Sequence, residues 1–249
     1  MTDDDPVGLR YAIASNEGTI DSPFNSHAAY AGPHLLVIAE GMQGMSTPRR
    51  PGVVAVEELR RLDVLTDASG LAASLERGIE GLREVFKGLL ADDPRSEGTG
   101  VLLTAMLWRG AHAAIAHIGS TRAYMLRGGE LTQLTRDHTY GQLLVEAGSI
   151  RPEEMGSDLQ HTSVVVRWLD GNPGEPADII THEAAAGDRY VLCTDGISRV
   201  MPAGTFLDIL RGTASDPQEA ADEIAGMAFP AGQHGSFTCV VADVVRQRG

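Results

Sequence analysis

Two acidic residues stand where chemistry could be done. Glu40 closes the apolar run His34-Leu35-Leu36-Val37-Ile38-Ala39 and leads into Gly41-Met42-Gln43-Gly44, and Asp195 follows Tyr190-Val191-Leu192-Cys193-Thr194 and leads into Gly196. Taken singly, each reads as an exposed acid in the turn after a strand. Arg49 and Arg50 precede Pro51, just before a helix that the pattern starts near Gly52. Arginine at a helix N-terminus attracts phosphate, although two surface arginines that offset acidic neighbours are the plainer reading. Other chemistries drop out. No Gly-x-Ser-x-Gly elbow marks a hydrolase nucleophile, and no glycine-rich loop carries a lysine, since the single lysine, Lys87, sits in a helical pattern. Cys193 and Cys239 lie in apolar runs as buried, reduced thiols, and without a Cys-x-x-Cys pair a thiol-zinc or redox centre is excluded. Asp92-Asp93-Pro94 and Arg151-Pro152-Glu153-Glu154 read as solvated loop charges, the second opening a helix.

The chain that must position these residues has 249 residues, 43% hydrophobic and 22% charged, the mix of a soluble globular protein large enough to bury its own core. Twenty Lys and Arg against 34 Asp and Glu leave a net charge of −14. That balance lacks the basic field that binding to phosphate backbones requires, so nucleic acid is not the expected partner. It also disfavours an anionic membrane surface, and no apolar run approaches the roughly 18 residues that span a bilayer. Met1-Thr2-Asp3-Asp4-Asp5-Pro6 is acidic where a secretory signal is basic and then apolar, so a cytoplasmic location is expected.

Periodicity orders the elements. Arg10 to Ala14 alternates, and the run to Ala39 fits a strand buried on both faces. Val53, Val56, Leu59 and Leu62 recur at helical spacing, as do Leu75, Ile79, Leu82, Phe86 and Leu89, which predicts an antiparallel helix pair around the turn Thr66–Gly70. Strands follow at 101–108, 111–118, 123–126 and 131–134, joined by turns too short for anything but antiparallel neighbours, which excludes a doubly wound nucleotide-binding sheet. A short helix at 141–147, strand-like runs at 163–168, 178–181 and 190–193, helices at 203–210 and 217–228 and a strand at 237–245 complete the order. The expected fold is an α+β, α-β-β-α sandwich: two antiparallel sheets packed face to face and flanked by helix pairs. An acidic tail over residues 1–9 and a single domain over 10–246 are the expected boundaries.

Glu40-Gly41-Met42-Gln43-Gly44, Gly98-Thr99-Gly100, His117-Ile118-Gly119-Ser120-Thr121-Arg122, Leu134-Thr135-Arg136-Asp137-His138-Thr139 and Cys193-Thr194-Asp195-Gly196 occur in this order at fitting separations. The set resembles the protein phosphatase 2C (PPM) family, in particular its bacterial Ser/Thr branch, and the likeness runs from about Arg10 to Val245. The resemblance implies a β-sandwich with a two-cation centre of Mg²⁺ or Mn²⁺, held by carboxylates, whose bridging water attacks a phosphomonoester clamped by an arginine.

Position by position, many of those parts differ. Glu40 stands for the family's bridging Asp, with Gly41 retained for its carbonyl. The water-orienting Asn-Glu-Asp is Asn25-Ser26-His27, the clamping arginine falls near Asp21 or Ser22, the Asp of Gly-Asp-Ser-Arg is Ser120, and the Asp-Asn before the last strand corresponds to His234-Gly235. Asp21, His27 and Ser120 are therefore degenerate catalytic positions, and Glu40, Gly41, Asp195 and His234 the candidate metal ligands. Two carboxylates offset about half the charge of a cation pair. The expectation is a catalytically impaired or inactive family member, a pseudophosphatase needing no cofactor, that binds a protein partner, either a Ser/Thr kinase or a phosphoprotein, through the inherited cleft or the loops around Arg151 to His161. The alternative is a divergent phosphatase using one divalent ion (Mn, Mg or Zn) on Glu40, Asp195 and His234 with His27 near by. Arg49 and Arg50 would be its substitute phosphate anchor. A small-ligand sensor is the third class.

Overall fold

The computed structural model describes residues 7–16, 27–42, 50–64, 70–93, 96–155, 159–174, 176–199, 201–213, 216–228 and 237–246. Strands β1 (Val7–Asn16), β2 (His27–Ala31) and β3 (Leu35–Met42) lead into helices α1 (Pro51–Leu59) and α2 (Leu71–Asp92). A meander follows: β4 (Gly100–Arg109), β5 (His112–Ile118), β6 (Arg122–Arg127) and β7 (Glu130–Gln133). Next come α3 (Tyr140–Glu146), α4 (Leu159–Thr162), β8 (Asp178–Glu183), β9 (Arg189–Cys193) and α5 (Asp195–Ser198). Helices α6 (Ala203–Gly212) and α7 (Pro217–Ala228) and strand β10 (Phe237–Arg246) close the chain. Two five-stranded sheets result, in the orders β1-β10-β9-β6-β7 and β2-β3-β4-β5-β8, with every pairing antiparallel.

The continuous apolar runs are explained by three layers of core. In β3, Leu36 and Ile38 point between the sheets with Met106, Trp108 and Ile115, where they meet Tyr190, Leu192, Val240 and Ala242 from the other sheet. The alternate residues Leu35, Val37 and Ala39 pack outward against Leu75, Ile79, Leu82 and Phe86 of α2. On the opposite outer face Val191, Cys193, Cys239 and Val241 meet Phe206, Ile209 and Leu210 of α6 and Ala220, Ala221 and Ile224 of α7. A central strand buried on both faces needs apolar residues at every position rather than at every second one. Both cysteines are free and buried within this outer layer.

Three local expectations are corrected. The helical spacing to Leu62 is interrupted after Leu59, where Arg60–Val64 tightens into a 3₁₀ turn. Asp63 in that turn accepts hydrogen bonds from the Tyr30 hydroxyl and the His34 backbone N–H, both at 2.8 Å, which draws the chain toward the sheet edge. Residues 163–168 alternate like a strand, yet only single bridges form around them, Val165 to Thr139 and Leu169 to Val101, because no full-length strand lies alongside. Strand β1 begins at Val7, three residues before the alternation that marks it, since its ladder with β10 continues to Val7 opposite Arg246.

One buried ion pair ties the β1-β10-β9-β6-β7 sheet to its helices. Arg189 of β9 forms a two-pronged bond to Asp243 of β10 at 2.5 and 2.9 Å, and its other nitrogen donates to the Leu210 and Thr213 carbonyls at the end of α6. Removing one partner strands a charge in the core. Arg189→Met is expected to destabilise the domain by about 3–5 kcal/mol in denaturant unfolding. The double variant with Asp243→Leu should recover much of that loss.

Candidate functional site at the end of the sandwich

Each sheet delivers one carboxylate to the same end of the molecule. Glu40 sits near the end of β3, directly opposite His27, the first residue of β2, in the antiparallel register. That register brings His27 Nε2 to 3.6 Å from Glu40 Oε1. The other Glu40 oxygen, Oε2, is buried and has no hydrogen-bond partner among the described residues. From the second sheet, β9 ends at Cys193 and the chain turns into the single helical turn of α5, which Asp195 opens. Arg199, one turn on, places its guanidinium 2.5 Å from Asp195 Oδ2, and the Ser120 hydroxyl donates to the same oxygen at 3.2 Å.

The electrostatics follow from this convergence. Burial raises the Asp195 pKa, the facing Glu40 raises it further, and Arg199, the Ser120 hydroxyl and His27 only partly oppose them, so the carboxyl titrates at about 6. A charge kept at a destabilising position is the mark of a functional or inherited functional site rather than of optimised packing.

A rigid frame holds Ser120. Gly119 has φ of +108°, a conformation that suits glycine, and a Cβ there would lie 2.7 Å from Leu102 Cβ. Its N–H donates to His138 Nδ1 at 3.0 Å, and the His138 N–H returns a bond to the Gly119 carbonyl at 2.7 Å. His138 Nε2 lies 3.1 Å from Asp178 Oδ2, and Arg167 reaches both of them. Beneath, His117 is fully buried against Thr104 and the Arg136 carbonyl; desolvation, with His138 adding, pushes its pKa down to about 4, so it is neutral. Arg122 grips Asp137 with Nε and Nη2 at 2.6–3.1 Å, which fixes the strand that follows Ser120.

Thus the structure brings together His27, Glu40, Ser120 and Asp195. Gly41 is held in β3 opposite Val101. Arg50 is exposed, and its carbonyl accepts the Val54 N–H at the start of α1 without a side-chain cap. Asp21, Arg49 and His234 lie outside the described residues. Arg199 escaped the sequence reading, although its spacing of four from Asp195 on a helix was the available signal. The Arg167–His138–Asp178 cluster was also missed, because its members come from three separate segments.

The fold and this placement invite comparison with known proteins. The chain is 37% identical over 237 residues, 95% of its length, to the serine/threonine protein phosphatase PstP of Mycobacterium tuberculosis. It spans about 45% of the length of that curated relative. The crystal structure of the M. tuberculosis phosphatase PstP/Ppp superimposes with a TM-score of 0.89 at 35% identity, covering 96% of this chain and all of that one. The chain belongs to the PPM, or 2C-type, family of bacterial serine/threonine phosphatases. A putative 2C-type phosphatase of Streptococcus pyogenes is 27% identical, covering 84% of this chain and 85% of its own. No protein-family model matches the chain. Among the described residues no helix is long and apolar enough to cross a membrane.

One solved relative, the PstP catalytic domain, is a complex with two manganese ions, at a TM-score of 0.87 and 34% identity. Around the corresponding position of this chain the described carboxylates are Glu40 and Asp195, each with a neighbour from the chain itself. Glu40 already faces His27 and Asp195 already carries Arg199. Among the described residues no three His, Cys, Asp or Glu side chains are gathered to hold an ion, and the segment Phe229–Ser236 contains no carboxylate.

The raised Asp195 pKa gives a signed expectation. The folded value of about 6 exceeds the model-peptide value of 3.8, so the fold favours the protonated form and loses stability as pH rises from about 4 to about 6. In chelator-treated samples, Asp195→Asn should be more stable than the parent above pH 6, by on the order of 2–3 kcal/mol. The two should converge below about pH 4. Parallel melting profiles across that range check it.

Proposed function

We propose that this chain is a catalytically impaired member of the 2C-type phosphatases, acting as a binding or regulatory module in bacterial Ser/Thr phospho-signalling. One observation carries the reading: of the two carboxylates that converge on the site, Asp195 is already paired with the Arg199 guanidinium of the chain itself, and Glu40 faces the His27 ring at 3.6 Å. Contacts of this kind occupy carboxylate oxygens that would otherwise be offered to hard cations, while leaving the surrounding frame of Gly119, His138, Arg122 and Asp137 intact. Glutamate at position 40 also carries its charge one methylene farther than aspartate, and a misplacement of about 1 Å can cost roughly a hundredfold in rate.

The partner is a phosphoprotein of the Ser/Thr kinase system. Five of the nine exposed large apolar residues among the described ones, Tyr140, Leu143, Val164, Val166 and Trp168, flank the segment 151–161 in sequence. Clustered exposed apolar side chains are the usual ground for protein docking. A cytoplasmic site of action belongs to this same proposal.

A second reading is favoured by the PstP relatives and by the unpartnered Glu40 Oε2: a divergent metal-dependent Ser/Thr phosphatase with an altered acidic site. One assay separates the two. With Mg²⁺, Mn²⁺ or Zn²⁺ the purified protein should hydrolyse a generic phosphomonoester and a phosphopeptide at least roughly a hundredfold more slowly than an active family member assayed beside it. Metal-dependent turnover at a comparable rate, abolished in Asp195→Ala, would establish the second reading.

A further inference from the structure

Cys193, two residues before Asp195, and Ile197, two after it, line a cavity of about 220 Å³ between β6, β7 and helices α5 and α6. Its apolar wall is made by Leu131, Ile197, Met201 and Phe206, and Tyr124 packs edge-on against Phe206 with ring centroids 5.3 Å apart. Its polar lining is made by Arg122, Tyr124 and Gln133. We propose that this cavity is a binding site for a small neutral aromatic molecule bearing one hydrogen-bond donor and one acceptor, of the aromatic amide or lactam class, and that its occupancy steadies α5.

The polar lining defines the ligand. Arg122 spends Nε and Nη2 on Asp137 and donates Nη1 to the Tyr124 hydroxyl at 3.1 Å, so its charge is neutralised within the protein. An anion therefore gains little there. The Tyr124 hydroxyl accepts from Arg122 and keeps its own proton to donate; burial, with Cys193 adding, pushes its pKa well above the usual tyrosine value, so that proton stays in place. The Gln133 amide nitrogen donates to the Thr135 carbonyl at 2.8 Å, which leaves the side-chain oxygen as an acceptor. One donor and one acceptor over an apolar slot match a planar amide. A cavity of about 150 Å³ accommodates benzene, so this one suits a single substituted ring, and Met201 can adjust to its outline.

Position gives the site a regulatory reach. α5 is four residues long, and Ile197 is its buried anchor. A ring seated on Ile197 and Cys193 grips the segment carrying Asp195 from both sides, while Arg122 connects through Thr121 to Ser120, which holds the Asp195 oxygen. By linkage, whatever engages Asp195 must then be sensed in the cavity. The inference stands whether or not the neighbouring site hydrolyses phosphoesters.

The test uses the full chain, ¹⁵N-labelled, titrated with benzamide and with benzoate as the charged isostere. Benzamide should bind with a dissociation constant of about 1 mM, as expected for so small a ligand, and move the amides of Tyr124, Gln133, Ile197 and Met201. Benzoate should bind at least tenfold more weakly. Tyr124→Phe should weaken benzamide several-fold. Ala203→Trp, at an exposed position on the cavity rim, should abolish the shifts without lowering the melting temperature. Absence of shifts at those four amides, equal binding of benzoate, or binding unchanged in both variants would overturn the proposal.

Discussion

Two like charges brought to one end of the sandwich by different sheets are the constraint on which the site depends. Glu40 arrives on β3 and Asp195 at the head of α5, and burial of Asp195, with repulsion from Glu40 adding, lifts its carboxyl to about 6. Such a pair persists with compensating positive charge near by or with one carboxyl protonated. In the manganese-bound relative two metal ions are present in the structure. Here, His27 and Arg199 stand at the two carboxylates.

The surroundings of that pair are firm. The reciprocal hydrogen bonds between Gly119 and His138, the Arg122–Asp137 fork and the neutral His117 beneath them form a continuous buried polar network. Fully paired networks of this sort specify one arrangement, because each member would be costly if left alone. Arg122 belongs both to this network and to the cavity beside α5, so the frame of the site and the wall of the cavity share a residue. The short helix that bears Asp195 thus has a rigid neighbour on one side and open space on the other.

Much of the fold was legible from local signals. Tight turns such as Gly128-Gly129, both at positive φ, forced antiparallel neighbours, and the stripe Leu75, Ile79, Leu82 and Phe86 marked the buried face of α2. The runs in β3, β9 and β10 revealed strands covered on both faces. Residues 163–168 misled for a physical reason: alternation reports which side of a segment is wet, not whether a partner strand lies alongside.

For the site, the sequence alone determined the inventory: a glutamate and an aspartate at strand ends, no arginine near position 21, and no acid between Phe229 and Ser236. Composition and order carry that information because they count charges without needing distances. Only the tertiary structure decided which charges meet. His27 reaches Glu40 through the β2–β3 register, Arg199 reaches Asp195 through one helical turn, and Glu40 perturbs Asp195 because the two sheets pack face to face with these strand ends at the same edge of the sandwich. Electrostatic interaction depends on separation and burial, and neither exists until the sheets have packed.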